Sequence, residues 1–300
     1  MPCVGYGTWQ TPSGEVARDS VRAALELGYR HIDTASAYEN EESVGEGIRL
    51  SGVRRDEIFL TTKQWTNVRG YEPTIAAAER SLKALGMDYL DLYLIHWPAV
   101  AKGTPDWEAI NAETWRGFEK LYKDGKVRAI GAYAMSGYQF HNMQLAAENN
   151  GWTIFSTLQN HYNLMYREDE RELLPVARQY GVSLIPYSPL AGGHLTRTEW
   201  TSGSKRSETD FTLRGKYDAA KENDMQIIAR VAEVAQKRGV TMTDVALGWL
   251  FKKGVAAPIV GATKISHFDA AVAALDFVLS DDEAAYLEEP YKAHDVVGAL

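Results

Sequence analysis

The sequence predicts a (β/α)8 TIM barrel, an α/β fold in which eight parallel strands form a cylinder surrounded by helices. Eight strand-like runs occur along the 300 residues, and a helical pattern separates each run from the next. Such alternation is typical of parallel βαβ units, and eight units in about 260 residues favour a closed barrel over an open sheet. The alternation alone leaves one alternative open, a doubly wound sheet in which two of the strands are misassigned.

The strand-like runs are short and nearly continuous in apolar residues. This composition is expected where helices cover the outside of a parallel sheet and side chains fill the inside of the barrel. The first two runs along the chain are weaker than the other six. The eight predicted strands cover residues 4–8, 29–33, 57–62, 89–95, 127–132, 153–158, 182–187 and 255–260.

The segments between the strands carry the period of an amphipathic helix. After the third strand, apolar residues from Ile75 to Leu85 step by three or four positions and share one face, and Gly86 follows as a candidate C-cap. Near the end of the chain, Ser280-Asp-Asp-Glu283 has the pattern of a capping box and predicts the start of a last helix.

The chain is predicted to be a single domain over residues 1–300, because no Pro- or Gly-rich linker interrupts the alternation. One long irregular stretch, residues 188–223, is rich in Gly, Thr, Ser and charged residues. Loops of this length are uncommon in compact domains and usually have a function. Because the stretch follows the seventh strand, it would overhang the carboxyl-terminal face of a barrel, where active sites lie. We therefore expect it to act as a lid.

Composition and charge narrow the class of function. The 40 acidic and 32 basic residues give a net charge of −8, which argues against binding of nucleic acid or an anionic membrane through clustered Lys and Arg. The single cysteine, Cys3, cannot form an internal disulfide, so a reducing compartment is expected. The sequence shows no signal-peptide pattern and no apolar run long enough to span a bilayer. These observations predict a cytoplasmic protein.

The glycine-containing motifs do not match the dinucleotide-binding fingerprint of a Rossmann fold. The first, Gly5-Tyr6-Gly7, lacks the third glycine. The second, Gly45-Glu46-Gly47, lies within a helical pattern rather than between a strand and a helix. A nicotinamide cofactor would therefore need a different binding geometry.

Four polar residues stand where a barrel would display them around one rim. Asp33, Lys63 and His96 each end or directly follow a predicted strand, and Tyr38 lies in the loop after Asp33. Each residue alone has an ordinary explanation, as a solvated rim residue or a satisfied structural group. Adjacent strands, however, would bring all four side chains together.

Together these four side chains suit proton transfer to a carbonyl group. A phenol with a pKa of about 10 is a weak acid at neutral pH, and we expect the ammonium group of Lys63 to lower the pKa of Tyr38. Asp33 would hold Lys63 in place and protonated, while His96 would orient the substrate oxygen. No metal is expected, because Asp33 and His96 have no third ligand at a usual spacing.

These residues belong to a set of motifs in which the sequence resembles the aldo-keto reductase family over nearly its full length. The motifs occur in the same order as in that family. They are His31-Ile-Asp33-Thr34-Ala35 with Tyr38, Leu60-Thr-Thr-Lys63, Asp91-Leu-Tyr-Leu-Ile-His96-Trp97-Pro98, Leu158-Gln159-Asn160 and Pro186-Tyr187-Ser188-Pro189-Leu190. The resemblance implies a (β/α)8 barrel that binds NADPH, with NADH as the alternative, across its carboxyl-terminal face and reduces small aldehydes or ketones.

The resemblance also implies roles for individual residues. Tyr38 would donate the proton, as one of a catalytic tetrad with the other three polar residues. Tyr187 would stack on the nicotinamide ring, and Gln159 would hold its carboxamide. The other implied cofactor-binding residues are Thr8, Trp9, Ser188, Leu190, Gly192 and Gly193, with Lys264 and His267 at the adenosine 2′-phosphate, and the implied substrate-pocket residues are Trp65, Trp97 and Tyr133.

The sequence departs from the family pattern in three places. Relatives usually carry Ser-Asn or Ser-Ser after the fifth strand, where this chain has Tyr133-Ala134, so we expect weaker nicotinamide binding. The first strand begins at Val4, which leaves no room in this sequence for the hairpin that plugs the barrel in relatives. The front, to about Arg128, resembles reductases related to diketogluconate reductases, whereas the part from Tyr133 resembles potassium-channel β-subunits. A natural intermediate or a recombined chimera would each give this mixture.

Three functions remain open at this point. The first is NAD(P)H-dependent reduction of aldehydes or ketones. The second is a cofactor-binding regulatory module of the same fold with little turnover, like the channel β-subunits. The third is a TIM-barrel lyase or isomerase in which Lys63 forms a Schiff base. For each of them, a monomer or weak oligomer is expected.

Overall fold

The computed structural model describes residues 1–98, 106–201, 211–262 and 265–296, with side chains except at 211–213 and 265–267. Eight parallel strands form one sheet, and each overlaps a predicted strand. The strands are β1 (Gly5–Gly7), β2 (His31–Asp33), β3 (Phe59–Gln64), β4 (Leu92–Ile95), β5 (Ile130–Tyr133), β6 (Thr157–Gln159), β7 (Ser183–Leu184) and β8 (Ile259–Gly261).

The sheet closes into a barrel. Its strands follow the order β7-β6-β5-β4-β3-β2-β1-β8, so β7 and β8 are the two ends of the sheet. These ends meet just beyond β7, where Tyr187 pairs with Ile259 and the amide of Ile259 donates to the carbonyl oxygen of Pro186 at 2.9 Å. The predicted (β/α)8 barrel is therefore confirmed, and the open doubly wound sheet is excluded.

All strands except β3, which keeps its predicted length, are shorter than predicted, chiefly at their amino ends. The predicted third strand starts at Glu57, but this residue lies in a 3-10 turn and β3 starts at Phe59. At their carboxyl ends, four strands extend past the apolar run, to Gln64 in β3, Tyr133 in β5, Gln159 in β6 and Gly261 in β8. The reason is that an apolar run reports burial, whereas a strand is defined by ladder hydrogen bonds, and the two differ at strand ends.

Helices separate the strands, as the alternation predicts. Gly86 adopts a left-handed C-cap with a φ of 66° after the helix that ends at Leu85. In the predicted capping box, the Ser280 side chain accepts a hydrogen bond from the amide of Glu283. None of the helices in the described residues is both long and apolar enough to cross a membrane. The α-helices there are α1 (Glu15–Glu26), α2 (Glu41–Ser51), α3 (Tyr71–Leu85), α4 (Trp107–Lys123), α5 (Gly137–Asn150), α6 (Leu173–Gln179), α7 (Phe211–Tyr217), α8 (Lys221–Arg238), α9 (Met242–Lys252), α10 (Ile265–Ala273) and α11 (Asp281–Glu288).

The Gly45-Glu46-Gly47 motif lies inside α2, as predicted, and it has a packing role. A Cβ atom on Gly45 would lie 2.0 Å from the carbonyl oxygen of Leu85, and one on Gly47 would lie 2.4 Å from that of Arg18. The helix therefore approaches α1 and the end of α3 so closely that only glycine fits at these two positions.

The alternation of side chains along each strand decides which residues point into the barrel. In β4, Leu92 and Leu94 pack with Ile185 and Ala257 from the far side of the barrel, in a small cluster separate from the main core. Residues two positions apart share a face of a strand, so His96 points towards the same interior as Leu94. The same rule brings the polar side chains at the ends of β2 and β3 to the carboxyl-terminal mouth of the barrel.

The stretch of residues 188–223 is not irregular throughout, so that part of the prediction is wrong. It contains a 3-10 turn (Ala191–Thr196), α7 and a second 3-10 turn (Asp218–Ala220), and α8 begins at Lys221. The hydroxyl of the buried Tyr217, at the end of α7, lies 2.7 Å from Nε2 of His161. Because this anchoring partner lies far away in the chain, the local composition of the stretch could not reveal it.

Candidate active site

Lys63 is the centre of a hydrogen-bonded cluster at the mouth of the barrel. Its Nζ lies 2.5 Å from Oδ1 of Asp33 and 2.8 Å from the carbonyl oxygen of Thr34. The third neighbour of Nζ is the hydroxyl oxygen of Tyr38, at 3.3 Å. An ammonium group has three donors, so these contacts use all of them. The structure thus brings three of the four predicted polar residues into direct contact.

The ion pair of Lys63 and Asp33 is buried. The Lys63 side chain is 0% exposed and that of Asp33 is 3% exposed. The second carboxylate oxygen of Asp33 accepts a hydrogen bond from Nε2 of Gln159, at 2.8 Å. A buried charge needs both an opposite charge and hydrogen bonds, and Asp33 has both. Asp33, Lys63 and Gln159 lie at or next to the ends of β2, β3 and β6, so three separate strands position the ion pair.

The electrostatics of Tyr38 differ from the sequence prediction. Burial raises the pKa of Tyr38 well above its ordinary value, and the nearby carboxylate of Asp33 adds to this. The prediction that Lys63 would lower the pKa of this phenol is therefore wrong in direction. The physical reason is that Asp33 offsets the charge of Lys63 while desolvation disfavours a phenolate. The phenol keeps its proton at neutral pH, as a proton donor must.

His96 lies beside this cluster as a neutral imidazole. The residue is 4% exposed, and burial together with the charge of Lys63 lowers its pKa to about 3. Its ring centroid is 5.9 Å from that of Tyr38. Its Nδ1 has no hydrogen-bond partner among the described residues. A neutral imidazole carries one N–H donor, which can serve a substrate oxygen that also contacts Tyr38.

Indole rings surround the two side chains that would handle the substrate oxygen. The ring of Trp9 lies 4.9 Å from that of Tyr38, and Trp9 is 49% exposed. The ring of Trp65 lies 5.1 Å from that of His96 and 5.9 Å from that of Trp97. The structure therefore places the three predicted tryptophans at the cluster, in a wall that is apolar and open to solvent on the Trp9 side.

Tyr133 and Tyr187 form a ring stack next to His96. Their centroids are 4.9 Å apart and their planes differ by 18°. The ring of Tyr133 also meets that of His96 nearly at right angles, with centroids 4.6 Å apart. From Tyr187 the stack continues to His161 at 5.2 Å, and from His161 to Tyr166 at 4.0 Å. The four rings of Tyr133, Tyr187, His161 and Tyr166 therefore form one continuous stack.

The loop after β7 carries residues predicted to meet the cofactor phosphates. Ser188 has a left-handed backbone with a φ of 51°, as do Gly192 and Gly193 with 62° and 96°. The amide of Gly193 donates to the carbonyl oxygen of Leu190 at 2.8 Å. This turn therefore uses the Gly193 amide internally, so that group is not free to face an anion while the turn is intact.

Three other predicted cofactor ligands are Thr8, Lys264 and His267, and the structure describes the side chain of Thr8 alone among them. The hydroxyl of Thr8 donates to the carbonyl oxygen of Asp33 at 3.2 Å. Lys264 and the side chain of His267 lie outside the described residues. Within the described ranges, no group of three or more His, Cys, Asp or Glu residues is arranged to hold a metal ion.

Asn40 supports the site and is absent from the sequence predictions. Its Nδ2 donates to the carbonyl oxygens of Thr8 and Thr11 at 3.0 Å and 3.1 Å. Its Oδ1 accepts from the hydroxyl of Thr34 at 2.9 Å. These bonds join the loops that follow β1 and β2. The sequence carries no local signal for this role, because two of its three partners lie 32 and 29 positions away in the chain.

Comparison with known proteins finds relatives along the whole chain. The model of the Aldo/keto reductase family matches residues 3–292. Glyoxal reductase of Bacillus subtilis (strain 168) is 43% identical over 199 residues, which cover 66% of this chain and 67% of that protein. Versiconal hemiacetal acetate reductase of Aspergillus parasiticus is 33% identical, with 97% of this chain and 92% of that protein covered.

A solved structure shows the same similarity in three dimensions. The Bombyx mori aldo-keto reductase in complex with NADP superposes with a TM-score of 0.78 at 28% identity. The superposition covers 99% of this chain and 92% of that one.

Proposed function

Because this chain belongs to the aldo-keto reductase family, we propose that it reduces aldehydes or ketones to alcohols with NADPH, in preference to NADH. The observation that carries the proposal is the contact of Nζ of Lys63 with the Tyr38 hydroxyl at 3.3 Å, beside the neutral ring of His96. A fold neighbour solved with NADP supports the choice of cofactor. The proposed substrate is a small carbonyl compound.

The side chains at the mouth of the barrel fit a nicotinamide cofactor. Gln159 donates one amide hydrogen to Asp33, and an amide group offers a second hydrogen and an oxygen, as a carboxamide ligand requires. Gln159 and Tyr187 would hold the nicotinamide, and Ser188, Leu190 and Gly192 would border the phosphates. When bound, NADPH supplies a hydride to the carbonyl carbon.

The chain's own residues would move the proton and balance the charge. Tyr38 gives its hydroxyl proton to the carbonyl oxygen, so one O–H bond breaks on the enzyme and one forms on the product alcohol. The phenolate that remains lies 3.3 Å from the ammonium group of Lys63, which stabilises the new negative charge. Asp33 keeps that ammonium group in place. The N–H of His96 orients the carbonyl oxygen towards Tyr38.

Oxidation of NADPH in the presence of 4-nitrobenzaldehyde tests this proposal. Tyr38→Phe removes a single oxygen atom and should lower kcat by about 10²- to 10⁴-fold with little change in Tm. Tyr122→Phe is the matched control, because Tyr122 is exposed near the end of α4, at the opposite face of the barrel. It should retain the wild-type rate. A wild-type rate in Tyr38→Phe would remove this phenol from the mechanism.

One observation favours a second candidate function. The stack of Tyr133 on Tyr187 covers the ring that would receive the nicotinamide, which would suit a regulatory module that binds the cofactor with little turnover. Tight NADPH binding without oxidation by any aldehyde would support this candidate. The Schiff-base alternative is weaker, because Nζ of Lys63 is buried and makes three hydrogen bonds. Borohydride trapping of a substrate on Lys63 would revive it.

We also propose a domain organisation, a lid, a location and an oligomeric state for this chain. The chain 1–300 would act as one domain, and residues 188–223 would cover the mouth as a lid, anchored by the contact of Tyr217 with His161. The exposed free thiol of Cys3 suits a reducing, cytoplasmic location. A monomer or weak oligomer is proposed.

A further inference from the structure

We propose that Tyr133 is a gate to the nicotinamide site: its ring covers the face of Tyr187 that a nicotinamide ring needs, and it must swing away before the cofactor can bind productively. The inference rests on the proposed function and deepens it. Tyr133 would control the entry of the cofactor, whereas the family resemblance implies only that it lines the substrate pocket.

The ring of Tyr133 lies where the hydride donor must lie. Hydride and proton are delivered to adjacent atoms of one carbonyl group, and reacting atoms must approach within about 3.5 Å. The hydride donor must therefore lie next to Tyr38 and His96. The ring of Tyr133 lies in this region, 4.6 Å from the ring of His96 and 6.0 Å from Nζ of Lys63.

The stack of Tyr133 on Tyr187 leaves no space between the two rings. The rings of Tyr133 and Tyr187 are nearly parallel, with centroids 4.9 Å apart. Aromatic rings at this separation are in direct contact, so no further flat ring fits between them. A nicotinamide ring can reach this face of Tyr187 only by replacing Tyr133. When a nicotinamide ring replaces Tyr133, one ring stack on Tyr187 is exchanged for another.

The ring of Tyr133 can move without its backbone. The backbone of Tyr133 is fixed, because Tyr133 pairs with Gln159 in the sheet and the next amide, that of Ala134, donates to the carbonyl oxygen of Gln159 at 3.0 Å. The residue is half-buried, and its hydroxyl makes a side-chain hydrogen bond with Tyr187 that the motion must break. Rotation about the side-chain bonds is therefore the available motion, and the strand need not move.

Ala134 shows that the end of β5 is under constraint. Its φ of 46° is in the left-handed region, where a residue with a Cβ atom is strained. The strained residue directly follows Tyr133 and is held by a sheet hydrogen bond. This conformation fixes the point from which the Tyr133 ring projects into the mouth of the barrel.

A closed gate lowers the apparent affinity for the cofactor, because only the open fraction of molecules binds. Equilibrium titration of the enzyme with NADPH, followed by cofactor fluorescence without any carbonyl substrate, measures this effect directly. Tyr133→Ala should lower Kd about tenfold, which corresponds to about 1.4 kcal/mol. Tyr133→Phe keeps the ring but removes the hydroxyl that is hydrogen-bonded to Tyr187, so its Kd should lie between those of the wild type and Tyr133→Ala. Tyr122→Ala, at the opposite face, should not change Kd.

An unchanged or higher Kd for Tyr133→Ala would overturn the gate. A crystal structure of the wild-type protein with NADP gives a second test that does not depend on the folding of a variant. The gate requires the Tyr133–Tyr187 stack to be broken in that complex, and an intact stack would overturn it. Failure of the proposed function has a different signature: NADPH oxidation with 4-nitrobenzaldehyde is then absent in the wild type and in every Tyr133 variant, whatever their Kd values for NADPH.

Discussion

The two sides of the barrel mouth are held together by different forces. The tetrad rim, at the ends of β2, β3 and β4, is joined by hydrogen bonds to the charge of Lys63, from 2.5 Å to 3.3 Å long. The aromatic rim, at the ends of β5, β6 and β7, is dominated by the stack of Tyr133 on Tyr187. Charge-assisted hydrogen bonds demand fixed positions, whereas a ring stack can exchange one ring for another. The tetrad rim is thus suited to chemistry and the aromatic rim to admission of a ligand.

The largest effect is expected from breaking the ion pair of the tetrad rim. Lys63→Met leaves the carboxylate of Asp33 buried without its charge partner, and we expect the free energy of unfolding to fall by about 3–5 kcal/mol. Activity should also be lost, because the phenolate of Tyr38 has no cation beside it. Urea unfolding measures the first effect and NADPH oxidation the second.

Lys120→Met is the control for this prediction. Lys120 pairs with Asp124 on the surface, where both side chains are about half exposed, and exposed pairs contribute little to stability. The variant should unfold like the wild type. A similarly small change for Lys63→Met would mean that the buried pair does not hold the tetrad rim together.

Acid should lower the free energy of unfolding through His96, which belongs to the tetrad rim. Its pKa is about 3 in the folded protein and about 6.5 in an unfolded chain. Between these values the unfolded chain binds a proton that the folded protein does not, so stability falls as the pH falls from 6.5 towards 3. The loss is about 1.4 kcal/mol per pH unit for this group. Urea unfolding at several pH values should show a shallower pH dependence for His96→Gln, and identical slopes would contradict the assignment.

A smaller effect is expected where the two rims meet. Gln159 belongs to the aromatic rim but donates to Asp33 at 2.8 Å, so Gln159→Met removes one hydrogen bond from a buried carboxylate. We expect a loss of about 1.5–3 kcal/mol in the free energy of unfolding and a lower kcat/KM. Gln236→Met, at an exposed position on α8, is the control. If both variants unfold alike, Gln159 does not connect the two rims.

The smallest effect is expected in the aromatic rim itself. Without cofactor, a double-mutant cycle of Tyr133→Ala and Tyr187→Ala should give a coupling of about 1 kcal/mol in the free energy of unfolding, because ring pairs contribute modestly beyond their buried area. Tyr133→Phe keeps the ring pair and should lose only the hydroxyl contact with Tyr187. A coupling as large as the loss in Lys63→Met would mean that the aromatic rim is as rigid as the tetrad rim, and it would weaken the contrast between them.

Much of the tetrad rim could be predicted from the sequence. Asp33, Lys63 and His96 follow apolar runs on neighbouring strands, and alternation along a strand sends side chains two positions apart to the same side. Their meeting is thus a consequence of local pattern and barrel topology. The pKa of Tyr38 could not be predicted in the same way, because its direction depends on burial and on the nearness of Asp33, neither of which is a local property.

The aromatic rim could be predicted only in part. The motifs identified Tyr187, Gln159 and the unusual Tyr133 as residues near a cofactor. They did not reveal the stack between Tyr133 and Tyr187 or the contact of His161 with Tyr217, which joins residues 56 positions apart. Ring contacts and long-range hydrogen bonds leave no periodic trace in a sequence, and the helical elements that lie within residues 188–220 are too short to show an amphipathic period.

The order of apolar runs and helical periods was enough to predict parallel βαβ units and to favour the barrel over a doubly wound sheet, and the polar residues that end those runs indicated where a proton donor would lie. Both properties follow from short-range rules of burial and alternation. Only the tertiary structure decided the charge state of Tyr38, the bond between Gln159 and Asp33, and the ring that faces Tyr187. Each of these depends on distances between separate strands, and such distances exist only once the barrel has closed.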